Sequence, residues 1–151
     1  GWSGGNKGSG QGIACHAMRG SYIAVMVSAH PTERGLRVER IAAAVDVGRA
    51  VNPALVRQQI EGGLIFGLAA ALGATTSYSK GLATVRTLGG LRLPRLDQSP
   101  EILIDLIPSE QPSGGVSELG VPPVAPALAN AYFSATGQRM RRLPFSLKPI
   151  A

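Results

Sequence analysis

The stretch "PSGGVSELGVPPVAPALANA" (112–131) sets one carboxylate, Glu118, in a loop of glycines and prolines that runs into an alanine-rich helix. The chain holds only nine acidic residues, so the placement asks for a reason. At the mouth of a helix, free N–H groups and the helix dipole favour negative charge. The flanking Gly114, Gly115 and Gly120 permit unusual backbone angles and the close approach of a ligand. Desolvation among Val116, Leu119 and Val121 would raise the pKa of the carboxyl group, and the helix end would lower it. Such a balance suits a general base, a role that contributes typically about 10²–10⁴-fold to a rate. The plain alternative is a solvated loop residue, and residue types alone favour it.

Other reactive side chains are sparse. A single cysteine, Cys15, excludes an intrachain disulfide and a cysteine-based zinc or iron–sulfur site within this chain. His16 and His30 lie too far apart to be a helical ligand pair and read as strand or turn residues. No metal-ligating set is expected. "SYSK" (77–80) has the Ser-x-x-Lys spacing of some hydrolases, but it falls in a turn and lacks the companion motifs. "GSGQG" (8–12) resembles a dinucleotide loop only superficially, because no strand precedes it.

The elements that must position these residues follow from periodicity and punctuation. Residues 1–11 are rich in Gly and Ser and read as a flexible linker or a cut end, with a domain over 12–151. "GIACHAM" (12–18) and "SYIAVMVSAH" (21–30) read as strands, and "PTERG" (31–35) as a turn. "LRVERIAAAVDVG" (36–48) reads as a strand entering a core. Asn52 as N-cap and Pro53 at the first helical position predict a helix over about 52–72. Val56, Ile60, Leu64, Leu68 and Leu72 make its apolar stripe. Beside them Gln59, Gly63, Gly67 and Ala71 form a second stripe, which suits close approach by another backbone or a bound group. Tight packing of helix on sheet is the favoured of these readings. Gly62, Gly63 and Gly67 each cost roughly 1 kcal/mol relative to alanine in a helix, so all three suggest packing that tolerates no side chain.

Beyond that helix, a hairpin turning near Lys80-Gly81 and an irregular crossing over 88–100 precede a strand at 101–108. A second helix over about 122–136 ends at Gly137, with Val124, Leu128, Tyr132 and Ala135 on its buried face. "RRLPF" (141–145) reads as a short basic strand or tail. This order predicts an α+β fold, a mixed sheet with two main helices.

At 151 residues and 44% hydrophobic content the chain suits one globular domain or a piece of something larger. Its net charge of +6 permits an anionic partner, but the arginines are dispersed. The one cluster, "QRMRR" (138–142), has no interleaved aromatics for base stacking, so nucleic-acid binding is the weakest reading. The longest apolar stretch, "GGLIFGLAAALGA" (62–74), is too short for a bilayer span, and no signal peptide is visible. A soluble chain is expected, in the cytoplasm or the periplasm.

"AVDVGRAVNPALVRQQIEGGLIFGLAAAL" (44–72) and "IPSEQPSGGVSELGVPPVAPALANAYFSATGQRMRRLPF" (107–145) resemble the C-terminal part of the molybdenum hydroxylases, the xanthine oxidase/aldehyde oxidoreductase family. They are most similar to large subunits of the isoquinoline 1-oxidoreductase type and related bacterial aldehyde dehydrogenases. The resemblance implies a molybdenum-pterin cofactor, molybdopterin or its cytosine dinucleotide form, bound together with the rest of the subunit. It implies a base, Glu118, that takes up a proton as water-derived oxygen reaches an electron-poor carbon of an aldehyde or N-heterocycle. Electrons would leave through iron–sulfur clusters on a small partner subunit. By position, Gln59 matches the family's glutamine near the pterin, and Gly115, Val116 and Ser117 match the loop at the cofactor. Glu61, about 200° around the helix from Gln59, is expected to face elsewhere. Ser117 and Leu119 depart from the family's Gly and Pro on either side of the glutamate. Those departures leave a second reading open, a catalytically silent binding or scaffold domain.

Overall fold

The computed structural model describes residues 2, 5–33 and 35–145. Three strands, β1 (Gln11–Met18), β2 (Ser21–Thr32) and β3 (Gly35–Asp46), form an antiparallel meander. Helix α1 (Pro53–Leu72) follows, then a small hairpin of β4 (Tyr78–Ser79) and β5 (Leu82–Ala83). Two short 3-10 turns, at Leu88–Leu91 and Leu96–Gln98, cross to β6 (Glu101–Leu106), and α2 (Val124–Thr136) completes the order. β6 pairs parallel with β3, so the sheet is mixed, in the order β1-β2-β3-β6. The α+β expectation with two main helices holds.

Local signals placed the ends well. The Asn52 side chain accepts from the Leu55 N–H at 3.1 Å, and Pro53 opens α1. Gly137 closes α2 in the left-handed conformation, φ 76°, with its N–H on the Phe133 carbonyl. The turn expected at 31–35 is shorter than that, because β2 continues through Pro31 and Thr32, which pair with Leu36 and Gly35. β1 pairs no further than Ser28, so Pro31 lies where β2 has an open edge and a missing donor is tolerated. Arg34 of that turn, like residues 1, 3, 4 and 146–151, lies outside the described residues.

The core lies between one face of the sheet and the two helices. Ile23, Val25 and Val27 from β2 and Ile41, Ala43 and Val45 from β3 meet Ile60, Leu64 and Leu68 of α1 and Val124, Ala127 and Leu128 of α2. On α2 the buried face differs by one position from the expected one. Ala135 is half-buried, whereas Ser134 is buried and donates to the carbonyls of Gln11 and Ala131. Those bonds, with Asn130 Nδ2 donating to the Ile13 carbonyl, clamp α2 along β1. Before β1, the Gly8 N–H reaches the Ser134 carbonyl and the Ala29 N–H reaches the carbonyl of Gly10. At the far end, "RRLPF" is irregular, and the Phe145 N–H bonds to the Ala71 carbonyl. The opposite face of the sheet carries exposed Ile13, Tyr22, Leu103 and Ile107 around Ala24, Ala42 and Ala44.

The small-residue stripe of α1 receives another backbone, and that backbone is not the sheet's. A Cβ on Gly63 would stand 3.3 Å from Gly120 Cα, and one on Gly67 would stand 2.6 Å from the Val121 carbonyl oxygen. The partner is therefore the segment following Glu118. Gly62 differs from the expectation: nothing lies within 4 Å of the Cβ it lacks. Gly62→Ala should therefore stabilise the fold, by about 0.5–1 kcal/mol, because it removes the helix penalty of glycine without a clash. A thermal melt checks this, and a lower Tm would contradict the open space at Gly62.

Candidate functional site

Two loops and the start of α1 build the site. After β3 the chain turns through Gly48, φ 67°, whose N–H bonds to Asp46 Oδ1 at 2.9 Å. A Cβ at Gly48 would stand 2.2 Å from the Pro112 carbonyl oxygen, so a side chain there would drive the two loops apart. Backbone and side-chain bonds then join the loops. The Arg49 N–H donates to the Gln111 carbonyl at 2.9 Å, Ser113 Oγ to the Arg49 carbonyl at 2.6 Å, and the Gly114 N–H to the Val47 carbonyl at 2.8 Å.

One bond brings the two sequence motifs together. Gln59 Nε2, on the exposed first half of α1, donates to the Ser117 carbonyl at 2.6 Å. Gly120 then settles on α1, where a Cβ would stand only 2.8 Å from the Ile60 carbonyl oxygen. Leu119 is fully buried in the core, whereas its neighbour Glu118 is exposed. Alternation along the loop thus turns the leucine inward as an anchor and the carboxylate outward. Glu61 is exposed, and its helical position is well rotated from that of Gln59.

The electrostatics of Glu118 differ from the balance expected among Val116, Leu119 and Val121. Ser117 Oγ donates to Glu118 Oε2, and this bond does most to hold the carboxyl group below the usual range. Desolvation is the next largest influence and opposes it. The Arg19 guanidinium lowers it further. Sequence reasoning missed Arg19, whose only signal was an Arg-Gly pair between two strand-like stretches.

Gln59, Gly115, Val116 and Ser117 line one cleft of ≈ 790 Å³, together with Arg49 and Gln58 among others. Glu118 is not among its lining residues but directly follows Ser117 in the chain. Among the described residues, the N–H groups of Val116 and Ser117 have no protein acceptor, and Gln59 Oε1 has no donor. A cleft edged with unused donors and acceptors fits a flat, heteroatom-rich ring such as a pterin, which needs hydrogen bonds in its plane. Among the described residues no three His, Cys, Asp or Glu come together as a metal site, and no helix is long and apolar enough to cross a membrane.

This fold belongs to a known class. The chain is a member of the molybdopterin cofactor-binding domain family, whose model matches residues 5–100. That range contains Gln59 but not Glu118. The chain is 35% identical over 135 residues to isoquinoline 1-oxidoreductase subunit beta of Brevundimonas diminuta, a match covering 88% of this chain and 17% of that protein. It is 33% identical over 134 residues to the aldehyde oxidoreductase molybdenum-binding subunit PaoC of Escherichia coli K12, covering 83% and 18%. Among solved structures, the aldehyde oxidoreductase of Desulfovibrio gigas superposes with a TM-score of 0.71 at 28% identity, over 82% of this chain and 14% of that one. The chain thus spans less than a fifth of the length of these relatives. The family's cofactor is a molybdopterin.

Proposed function

We propose that this chain is the C-terminal portion of a molybdenum hydroxylase that oxidises an aldehyde or an N-heteroaromatic substrate with oxygen derived from water. The observation that carries the reading is the Gln59–Ser117 bond, which joins the cofactor cleft to the residue beside Glu118. When bound, the molybdenum-pterin supplies the electron acceptor for the oxidation. Gln59, Gly115, Val116 and Ser117 would hold it along the cleft, with hydrogen bonds offered by Gln59 Oε1 and by the unused N–H groups of Val116 and Ser117. Glu118, kept ionised by Ser117 and Arg19, accepts at its carboxylate the proton of the water-derived nucleophile. Overall the C–H bond of the substrate is replaced by a C–O bond to oxygen from water, and two electrons and two protons are released from substrate and water together. The apolar open face of the sheet is where the rest of the molybdenum subunit packs, and an iron–sulfur subunit takes the electrons onward.

Glu118→Gln in the assembled enzyme is the test. Turnover should collapse while molybdenum and pterin stay at wild-type stoichiometry, and unchanged turnover overturns the reading. Wild-type assemblies purified without molybdenum or pterin would instead mark a silent scaffold domain.

The Ser117 hydroxyl yields a second expectation. Because it stabilises the carboxylate, Ser117→Ala raises the pKa of Glu118 towards its ordinary value. The base must be ionised to act, so the acid limb of kcat/KM should move to higher pH. A limb that stays in place or moves to lower pH would show that Ser117 does not govern the base.

A further inference from the structure

We propose that Arg19 is a positioning residue for the Glu118 loop, its carbonyl and side-chain stem seating Gly115 and its guanidinium supplying the positive charge that acts on the base. The inference rests on Glu118 being that base. Arg19 and Gly20 form the two-residue turn between β1 and β2, with φ 49° and 78°. Such hairpin turns favour Asn, Asp or Gly, because both central residues are left-handed. An arginine there is strained, and strain retained in a tight turn next to a cleft points to a use for the side chain.

The contacts supply that use. The Gly115 N–H donates to the Arg19 carbonyl at 3.0 Å. A Cβ on Gly115 would stand 3.1 Å from Arg19 Cβ and 3.2 Å from its Cδ, so the arginine stem lies along the bare face of that glycine. Gly114 meets the same turn, since its Cβ would stand 2.8 Å from the Gly20 carbonyl carbon and 2.2 Å from Ser21 Oγ. The hairpin turn therefore leaves no room for a side chain at Gly114, and the arginine stem packs tightly against Gly115.

Charge completes the case. Arg19 makes no ion pair among the described residues, so no carboxylate partner neutralises its field. The groups that meet Glu118 from the surrounding elements are few. Its own loop brings the Ser117 hydroxyl, α1 brings the neutral amide of Gln59 onto the Ser117 carbonyl, and the β1–β2 turn brings Arg19. Among the described residues, Arg19 is the one charged side chain whose field acts on the carboxylate. An uncompensated cation favours the ionised form of a nearby acid, and salt screens the effect.

The experiment uses the assembled holoenzyme and three variants, Arg19→Gln, Arg19→Lys and Arg19→Gly. Two readouts are taken against pH: kcat/KM, and carbodiimide modification of Glu118 mapped by mass spectrometry, which reacts with the protonated carboxyl. Arg19→Gln should move the acid limb and the labelling midpoint together to higher pH, by an amount that shrinks at high salt. Arg19→Lys should restore most of both. Arg19→Gly relieves the left-handed strain, so it should fold at least as well as wild type and still show the upward shift. Arg19→Gln or Arg19→Gly profiles that superimpose on wild type in both readouts overturn the proposal. The two readings fail separately. Turnover that survives Glu118→Gln removes the base, whereas lost turnover with unshifted Arg19 profiles removes only the role of Arg19.

Discussion

Glu118→Gln in the assembled enzyme should lower kcat by about 10²–10⁴-fold, the usual contribution of a positioned general base. Glutamine keeps the length and planarity of the side chain and can still accept from Ser117 Oγ, but it has no carboxylate to take a proton. The backbone around it should stay in place, because the neighbouring anchors do not depend on the charge. Leu119 is buried in the core, Gly120 rests on α1, and the Ser117 carbonyl is held by Gln59. A loss confined to kcat, with cofactor content and Tm at wild type, is therefore the signature of lost chemistry rather than lost structure. A comparable fall in molybdenum or pterin content would assign Glu118 to holding the cofactor instead. Gln59→Leu gives the complementary result, since it removes the bond to Ser117 and should disturb the loop and the pterin together.

The largest effect on stability is expected from Gly12→Ala. A Cβ at Gly12 would stand 2.2 Å from both the Ala127 carbonyl oxygen and the Ala131 nitrogen, atoms of α2 that no rotamer change can move. α2 is also tied to the same strand through Asn130 and Ser134, so relief of the clash strains those bonds. Overpacking of this kind typically costs about 1–3 kcal/mol and occasionally more. In a domain of this size each kcal/mol lowers Tm by roughly 2–4 °C. The consequence reaches the site, because the segment 118–123 lies between α1 and the start of α2. Thermal unfolding and cofactor retention, compared with Gly62→Ala as a methyl added in open space, measure both effects. Equal melting of the two variants would contradict the close approach of α2 to β1.

Several elements were legible because their signals are local. Asn52 and Pro53 mark the start of α1 through an orphan N–H and a preset φ, and Gly137 marks the end of α2 through its left-handed turn. Lys80 and Gly81, at φ 50° and 77°, form the expected hairpin turn for the same reason. The extent of β2 was not legible. Whether Pro31 can sit in a strand depends on where β1 stops, and that is a property of the neighbour rather than of the residue. Gly62, Gly63 and Gly67 read alike in one dimension, and only the approach of the segment 120–124 separates the two that are needed from the one that is not.

By itself the sequence determined the helices, most of the strands, a mixed sheet and the family, along with Gln59 and Glu118 as residues of interest. Each of those rests on periodicity, caps or motifs that a short window contains. Tertiary structure alone decided how the residues act. It joined Gln59 to Ser117 across 58 positions, turned Leu119 inward so that Glu118 faces out, and brought Arg19 from the first hairpin to the loop. It also set the balance on the carboxylate, where the Ser117 hydroxyl, helped by Arg19, outweighs desolvation. The physical reason is that hydrogen bonds and Coulomb forces depend on separation in space, which a periodic pattern does not encode.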